Sequence, residues 1–220
     1  MKHRTTISLA LTLGLAGLMG CSSTSKSRLD EAAPAFAPQN FSGLRRWPQE
    51  IRRVAVLPVA DASGTLPLPF TAGYDATWLG ALQRTQRAEF VPVDRDTYSR
   101  WTDGPSSPAS TAILPSDWAR RIAVATGAEA ALLLDLTQVS PYPPQRLGLR
   151  AKLVRLETGE ILWASDETFD SSDPAVARAA RRFIRAGQFG RESDASAVLQ
   201  SPSKFAAYAT SAIAATLPTR

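Results

Sequence analysis

Between Ala130 and Phe169 the sequence has room for little except three strands in succession. Ala130 to Val139 is a strongly apolar run that reads as a strand. After it, Leu147, Leu149, Ala151 and Leu153 alternate with Gly148, Arg150, Lys152 and Val154, the two-residue period of a half-buried strand. Glu157-Thr158-Gly159-Glu160 reads as a turn, and Ile161 to Phe169 returns antiparallel. A hairpin of this kind has an apolar face that must be covered by other elements.

The segments on either side supply them. Ile51 to Val59 has a continuous apolar middle that suits a central strand. A polar loop from Asp61 to Thr65 leads into a helix predicted over Ala72–Gln86, where Tyr74, Trp78 and Leu82 recur every four residues. Glu89 to Val93 is a short strand, and Pro92 places it at an edge or a strand end. Asp94 to Trp101 is a helical turn, and Thr102 to Pro115 is a loop rich in proline and serine. Ser116 is the expected N-cap of a helix over Asp117–Thr126 that stops at Gly127. Ser172 or Asp173 caps a helix from Pro174 to about Ala186, and Ser201-Pro202 opens a last one to Leu217 with Phe205, Ala209, Ile213 and Leu217 inward. The order β-α-β-α-β-β-β-α-α specifies an α/β (α+β) fold, a mixed sheet with helices packed on it.

The first residues do not belong to that fold. Lys2, His3 and Arg4 precede an apolar run from Ile7 to Met19, then Gly20 and Cys21, the layout of a secretory signal. The run is shorter than the roughly 20 residues a spanning helix needs. Leu18-Met19-Gly20-Cys21 looks like a lipobox, so cleavage is expected between Gly20 and Cys21, with acyl chains, palmitate among them, on Cys21. Such chains each add about 0.8 kcal/mol per buried methylene to membrane binding. Residues 1–20 are then the signal peptide, 21–49 a lipidated anchor and flexible tether, and 50–220 a single α/β domain with C-terminal helices.

Composition sharpens the consequence. The chain has one cysteine and one histidine. Cys21 is the anchor and His3 goes with the signal, so the mature domain has no Cys or His nucleophile, no Ser-His-Asp triad and no thiolate-histidine zinc site. Of 25 basic residues, removal of Lys2 and Arg4 leaves 23 against 20 acids, too mild a balance to argue for nucleic acid. With no Walker A or dinucleotide-binding sequence, no cofactor, metal, catalytic residue or nucleic-acid partner is expected.

Val54-Ala55-Val56-Leu57-Pro58-Val59, Phe90-Val91-Pro92-Val93, Gly127-Ala128-Glu129-Ala130 and the hairpin from Leu153 to Trp163 resemble bacterial lipoproteins with TolB amino-terminal-like domains, the superfamily of CsgG and LpoB. The similarity runs over roughly Ile51 to Ala186 and fits no one subgroup. It implies a non-enzymatic, periplasm-facing domain that binds an envelope protein or its own copies, and an outer-membrane address, since Ser22 rather than aspartate follows the cysteine.

Two features are candidate partner-binding sites. Arg178, Arg181, Arg182 and Arg185 fall on one face of the helix that starts near Pro174, opposite Val176, Ala179, Ala180 and Phe183. Clustered guanidinium groups suit acidic partners. Tyr142 sits in Ser140-Pro141-Tyr142-Pro143-Pro144, a connector stiffened by proline. Two Ser-x-x-Lys sequences, Ser23–Lys26 and Ser201–Lys204, lack the companion motifs of a serine-lysine enzyme. The four carboxylates from Asp166 to Asp173 lack EF-hand spacing. The reading is a lipid-anchored envelope scaffold or adaptor. The alternatives are a CsgG-like oligomeric secretion component and a hydrolase using carboxylate or serine chemistry.

Overall fold

Taken in chain order, the strands and helices are β1 (Phe41–Gly43), β2 (Arg53–Val56), β3 (Ala60–Asp61), α1 (Leu68–Thr85), β4 (Glu89–Pro92), α2 (Arg95–Thr102), α3 (Trp118–Thr126), β5 (Ala130–Ser140), β6 (Arg146–Arg155), β7 (Ile161–Asp170), α4 (Pro174–Phe183) and α5 (Pro202–Ala214). This computed structural model describes residues 33–188 and 195–220, and residues 34–220 form one compact unit. Cys21, the Gly20 cleavage site and the Ser23–Lys26 sequence lie outside the described residues.

The described strands form one mixed sheet in the order β1-β7-β6-β5-β2-β4, with β3 pairing β5 beyond the end of β2. The expected hairpin is β6 with β7, and β5 lies antiparallel against β6, while β2 runs parallel to both β5 and β4. Pro92 ends β4, which is indeed an edge.

Alternation along β5 builds two cores. Leu132, Leu134 and Leu136 point to one face, where Trp78 and Leu82 of α1, Ala180 of α4 and Phe205 and Ile213 of α5 meet them. Ala131 and Leu133 point to the other, under Tyr98 of α2 and Trp118 and Ile122 of α3. Each fully buried leucine stabilises the fold by about 2 kcal/mol. In the second core Trp118 Nε1 donates to the Tyr98 hydroxyl at 3.0 Å. Asp75 of α1 receives Nε and Nη2 of Arg95 at 3.0 and 2.9 Å and the Val59 amide at 2.8 Å, tying both helix layers to the connector after β2.

Helix ends differ in detail from the sequence reading. Ser116 is not a cap: α3 begins after Asp117, whose carboxylate accepts from Arg121 Nε at 2.6 Å instead. Gly127 stops the helix as expected, at φ 64°. Asp173 rather than Ser172 caps α4, accepting from the Ala175 amide at 2.7 Å. Asp94 caps α2, a full helix rather than a turn.

The largest correction concerns the tether. Residues expected to be free as far as Gln49 are docked on the domain from Pro34 onward. The Phe36 amide donates to Ala175 O at 3.1 Å, and its ring meets Phe169 edge-on at 5.4 Å. Gln39 and Asn40 amides donate to Glu167 Oε2, β1 pairs antiparallel with β7, and Trp47 is buried with Nε1 on Ile51 O at 2.8 Å. A β-carbon on Gly43 would sit 2.6 Å from Leu162 O, so only glycine lets β1 approach this closely. The segment lacks a period because main-chain pairing and two aromatic anchors hold it. Residues 34–49, expected to be tether, therefore belong to the same compact unit as the strands and helices that follow.

Candidate functional site

Tyr142 lies at the tip of the connector between β5 and β6 and is 80% exposed. The base of the connector is fixed. Gln145 is buried, its amide donates to Ser171 Oγ at 2.7 Å, and its carbonyl accepts from the Ser171 amide at 2.8 Å. Three prolines restrict the backbone between base and tip. The ring is thus held out to solvent on a pre-ordered loop, with little conformational entropy to lose on contact.

Ser171 lies in the turn that leads from β7 into α4, so the base of the Tyr142 loop is hydrogen-bonded to the segment before that helix. Helix α4 buries Val176, Ala179 and Ala180 and turns its arginines to the other side, as the spacing predicts. The four are not equivalent. Arg178 donates Nη2 and Nε to Pro34 O at 2.9 and 3.2 Å, which makes it a clasp for the docked N-terminal segment. Arg181 is half-buried, and Arg182 and Arg185 are exposed. Arg185 lies past the end of α4, in a wide π turn over Ile184–Gln188.

The sequence reading missed the polar cluster on the second face of the sheet. Asp135 follows Ala131 and Leu133 on that face of β5 and is fully buried. Its carboxylate accepts the Ser110 amide at 2.8 Å and the Ser110 hydroxyl at 2.6 Å, with Arg150 Nη1 at 4.0 Å. Lys152 Nζ donates to Ser110 O at 2.7 Å, and Arg150 Nε donates to Asp166 at 2.8 Å. Burial pushes the Asp135 carboxyl above the usual range, with Ser110 and the nearby cations opposing it. Beside this cluster is an open cleft of about 320 Å³ lined by Asn40, Ser42, Thr111, Arg150, Lys152 and Asp166. Asp135 does not reach it. A sealed carboxylate committed to Ser110 pins the loop across the sheet and has no access to substrate. One signal was available: a lone acid inside an apolar strand needs a buried partner.

The remaining sequence candidates are absorbed by structure. Ser201 Oγ accepts from the Lys204 amide as the cap of α5. In the acidic run, Asp166 and Asp170 pair with Arg150 and Arg146, Glu167 holds the N-terminal segment and Asp173 caps α4. Among the described residues, no three His, Cys, Asp or Glu side chains are grouped to hold a metal, and no helix is long and apolar enough to cross a membrane.

No protein-family model and no curated protein matches the chain. Solved structures similar to it include a PelC dodecamer from Paraburkholderia phytofirmans, at 12% identity and TM-score 0.45, over 82% of this chain and 96% of that one. The lipoprotein GNA1162 from Neisseria meningitidis is similar at 15% identity and TM-score 0.45, over 61% of this chain and 96% of that one. LpoB from E. coli is similar at 15% identity and TM-score 0.42, over 74% and 82%.

Proposed function

We propose that this chain is a lipid-anchored, periplasm-facing envelope lipoprotein of the outer membrane, acylated on Cys21, that acts as a non-catalytic scaffold or adaptor for an envelope protein complex. The observation that carries this reading is the outward Tyr142 on its fixed, proline-framed loop. Tyrosine offers a large amphipathic contact for little ordering cost, the character of residues that dominate protein interfaces. Residues 22–220 contain neither histidine nor cysteine, which supports presentation over catalysis. The docked segment adds a constraint on reach. Only 12 residues, 22–33, separate Cys21 from Pro34, and the steps between the two, at about 3.5 Å each, extend at most about 45 Å.

The test is crosslinking in intact envelopes followed by capture of the lipidated chain. Wild type recovers a defined envelope protein, and Tyr142→Ala lowers its yield about tenfold, the loss of one interface anchor. Undiminished capture by Tyr142→Ala contradicts the assignment.

A second reading, self-association as in an oligomeric secretion component, is favoured by the outer edge of β1. Phe41 in β1 and Leu44 just after it, exposed at 47% and 42%, lie at a sheet edge whose outer side no other described strand covers. Recovery of the chain's own copies alone in the same experiment selects this reading.

A further inference from the structure

Across much of the described surface, arginine sits against a carboxylate. Arg53 meets Glu89 at 2.9 Å, Arg121 meets Asp117 at 2.6 Å, Arg146 meets Asp170 at 2.7 Å and Arg155 meets Glu50 at 2.7 Å. At the corner where the docked N-terminal segment meets the end of the chain, that pattern stops. The Trp47 amide donates to Thr219 O at 2.7 Å, Arg46 bridges to Thr219, and Arg220 Nε donates to Arg87 O at 2.9 Å. These contacts gather exposed Arg46, Arg52 and Arg220 around one basin of about 560 Å³ floored by Trp47, Pro48 and Ile51.

No carboxylate side chain lines the basin. Glu50, next in sequence, is turned to Arg155 and lines a different hollow. Glu129 accepts the main-chain amides of Arg52 and Arg53 at 3.1 and 2.7 Å. The neighbouring Arg87 adds an Nε that is buried without an acceptor. Three guanidinium groups around a basin that no side-chain carboxylate lines repel one another, and an anion arriving among them relieves that repulsion. Planar guanidinium forks match the oxygens of a phosphate, and the basin's volume suits a phosphate carrying an organic body rather than a bare ion.

We propose that this basin binds a phosphate-bearing ligand, its phosphate held among Arg46, Arg52 and Arg220 and its organic part resting on Trp47 and Ile51. A lipid headgroup and a soluble phosphate ester share this chemistry. The site stands independently of the scaffold reading, since none of its residues belongs to the Tyr142 loop.

The test uses the full chain in uncharged detergent micelles, titrated by calorimetry with inorganic pyrophosphate and, separately, with mixed micelles containing phosphatidic acid. At least one probe binds saturably, and Arg46→Glu/Arg52→Glu and Arg220→Glu each weaken it about tenfold or more. Arg100→Glu/Arg120→Glu, with the same charge change as the first variant but away from the basin, leaves affinity within about twofold. Binding of pyrophosphate assigns a soluble ester, and binding of phosphatidic acid alone assigns a headgroup. Equal weakening in the distant variant, no saturable binding of either probe, or competition by polyglutamate as strong as by pyrophosphate overturns the proposal.

Discussion

Asp135 shows how one side chain sets the second face of the sheet. Its two bonds to Ser110, with Lys152 on the Ser110 carbonyl, hold the loop between α2 and α3 across β5 and β6. Asp135→Ala leaves a buried amide and hydroxyl without acceptors and costs about 3 kcal/mol, measurable by urea unfolding. The pH dependence follows from the raised carboxyl. The folded state binds this proton more tightly than the unfolded chain, so the associated stability is complete below the unfolded value of 3.8 and is lost as pH rises through the folded value. Asp135→Asn cannot titrate, so the stability advantage of wild type over Asp135→Asn shrinks between pH 4 and pH 7. An advantage that grows over that interval contradicts the assignment. Asp94 and Asp170 act oppositely: hydrogen bonds to Thr97 and Ser172 lower their carboxyls, and their stabilisation is lost as pH falls through the folded values. The acid in the apolar strand was visible in the sequence, but its partner was not, because Ser110 sits in a loop with no period.

At the scale of elements, the N-terminal segment is where structure and sequence part. Long strands and amphipathic helices announce themselves by period, which is why β5, β6, β7 and the inward face of α5 were legible residue by residue. Strand β1 has three residues and β3 has two, and their pairing is main-chain chemistry that any small residue can supply. The arginines of α4 were placed on one face by spacing, yet spacing gave no hint that Arg178 would be a clasp for Pro34. The docking predicts a local effect. Gly43→Ala pushes a methyl into Leu162 O, so amide exchange should quicken at Leu44 and Asp166, which bond across this pair, while amides of the β5–β6 pair keep their protection. Unchanged exchange at Leu44 and Asp166 would show that β1 does not depend on close approach at Gly43. Phe36→Ala removes the edge contact with Phe169 and should lower stability by about 1–2 kcal/mol in urea unfolding.

For the whole molecule, both faces of the parallel half of the sheet are closed by helices, the described carboxylates of the acidic run are tied into pairs and caps, and Tyr142 stands out to solvent. Under the proposed function, acylation of Cys21 is what holds such a domain at a membrane. The central claim is that Tyr142 is where another envelope protein docks. It is tested most directly by replacing Tyr142 with photoreactive p-benzoylphenylalanine in the full chain and irradiating living cells, with Ile113, 101% exposed, as the control position. The account predicts one discrete adduct with an envelope protein from position 142 and none from 113. No adduct, or the same adducts from both positions, would contradict it.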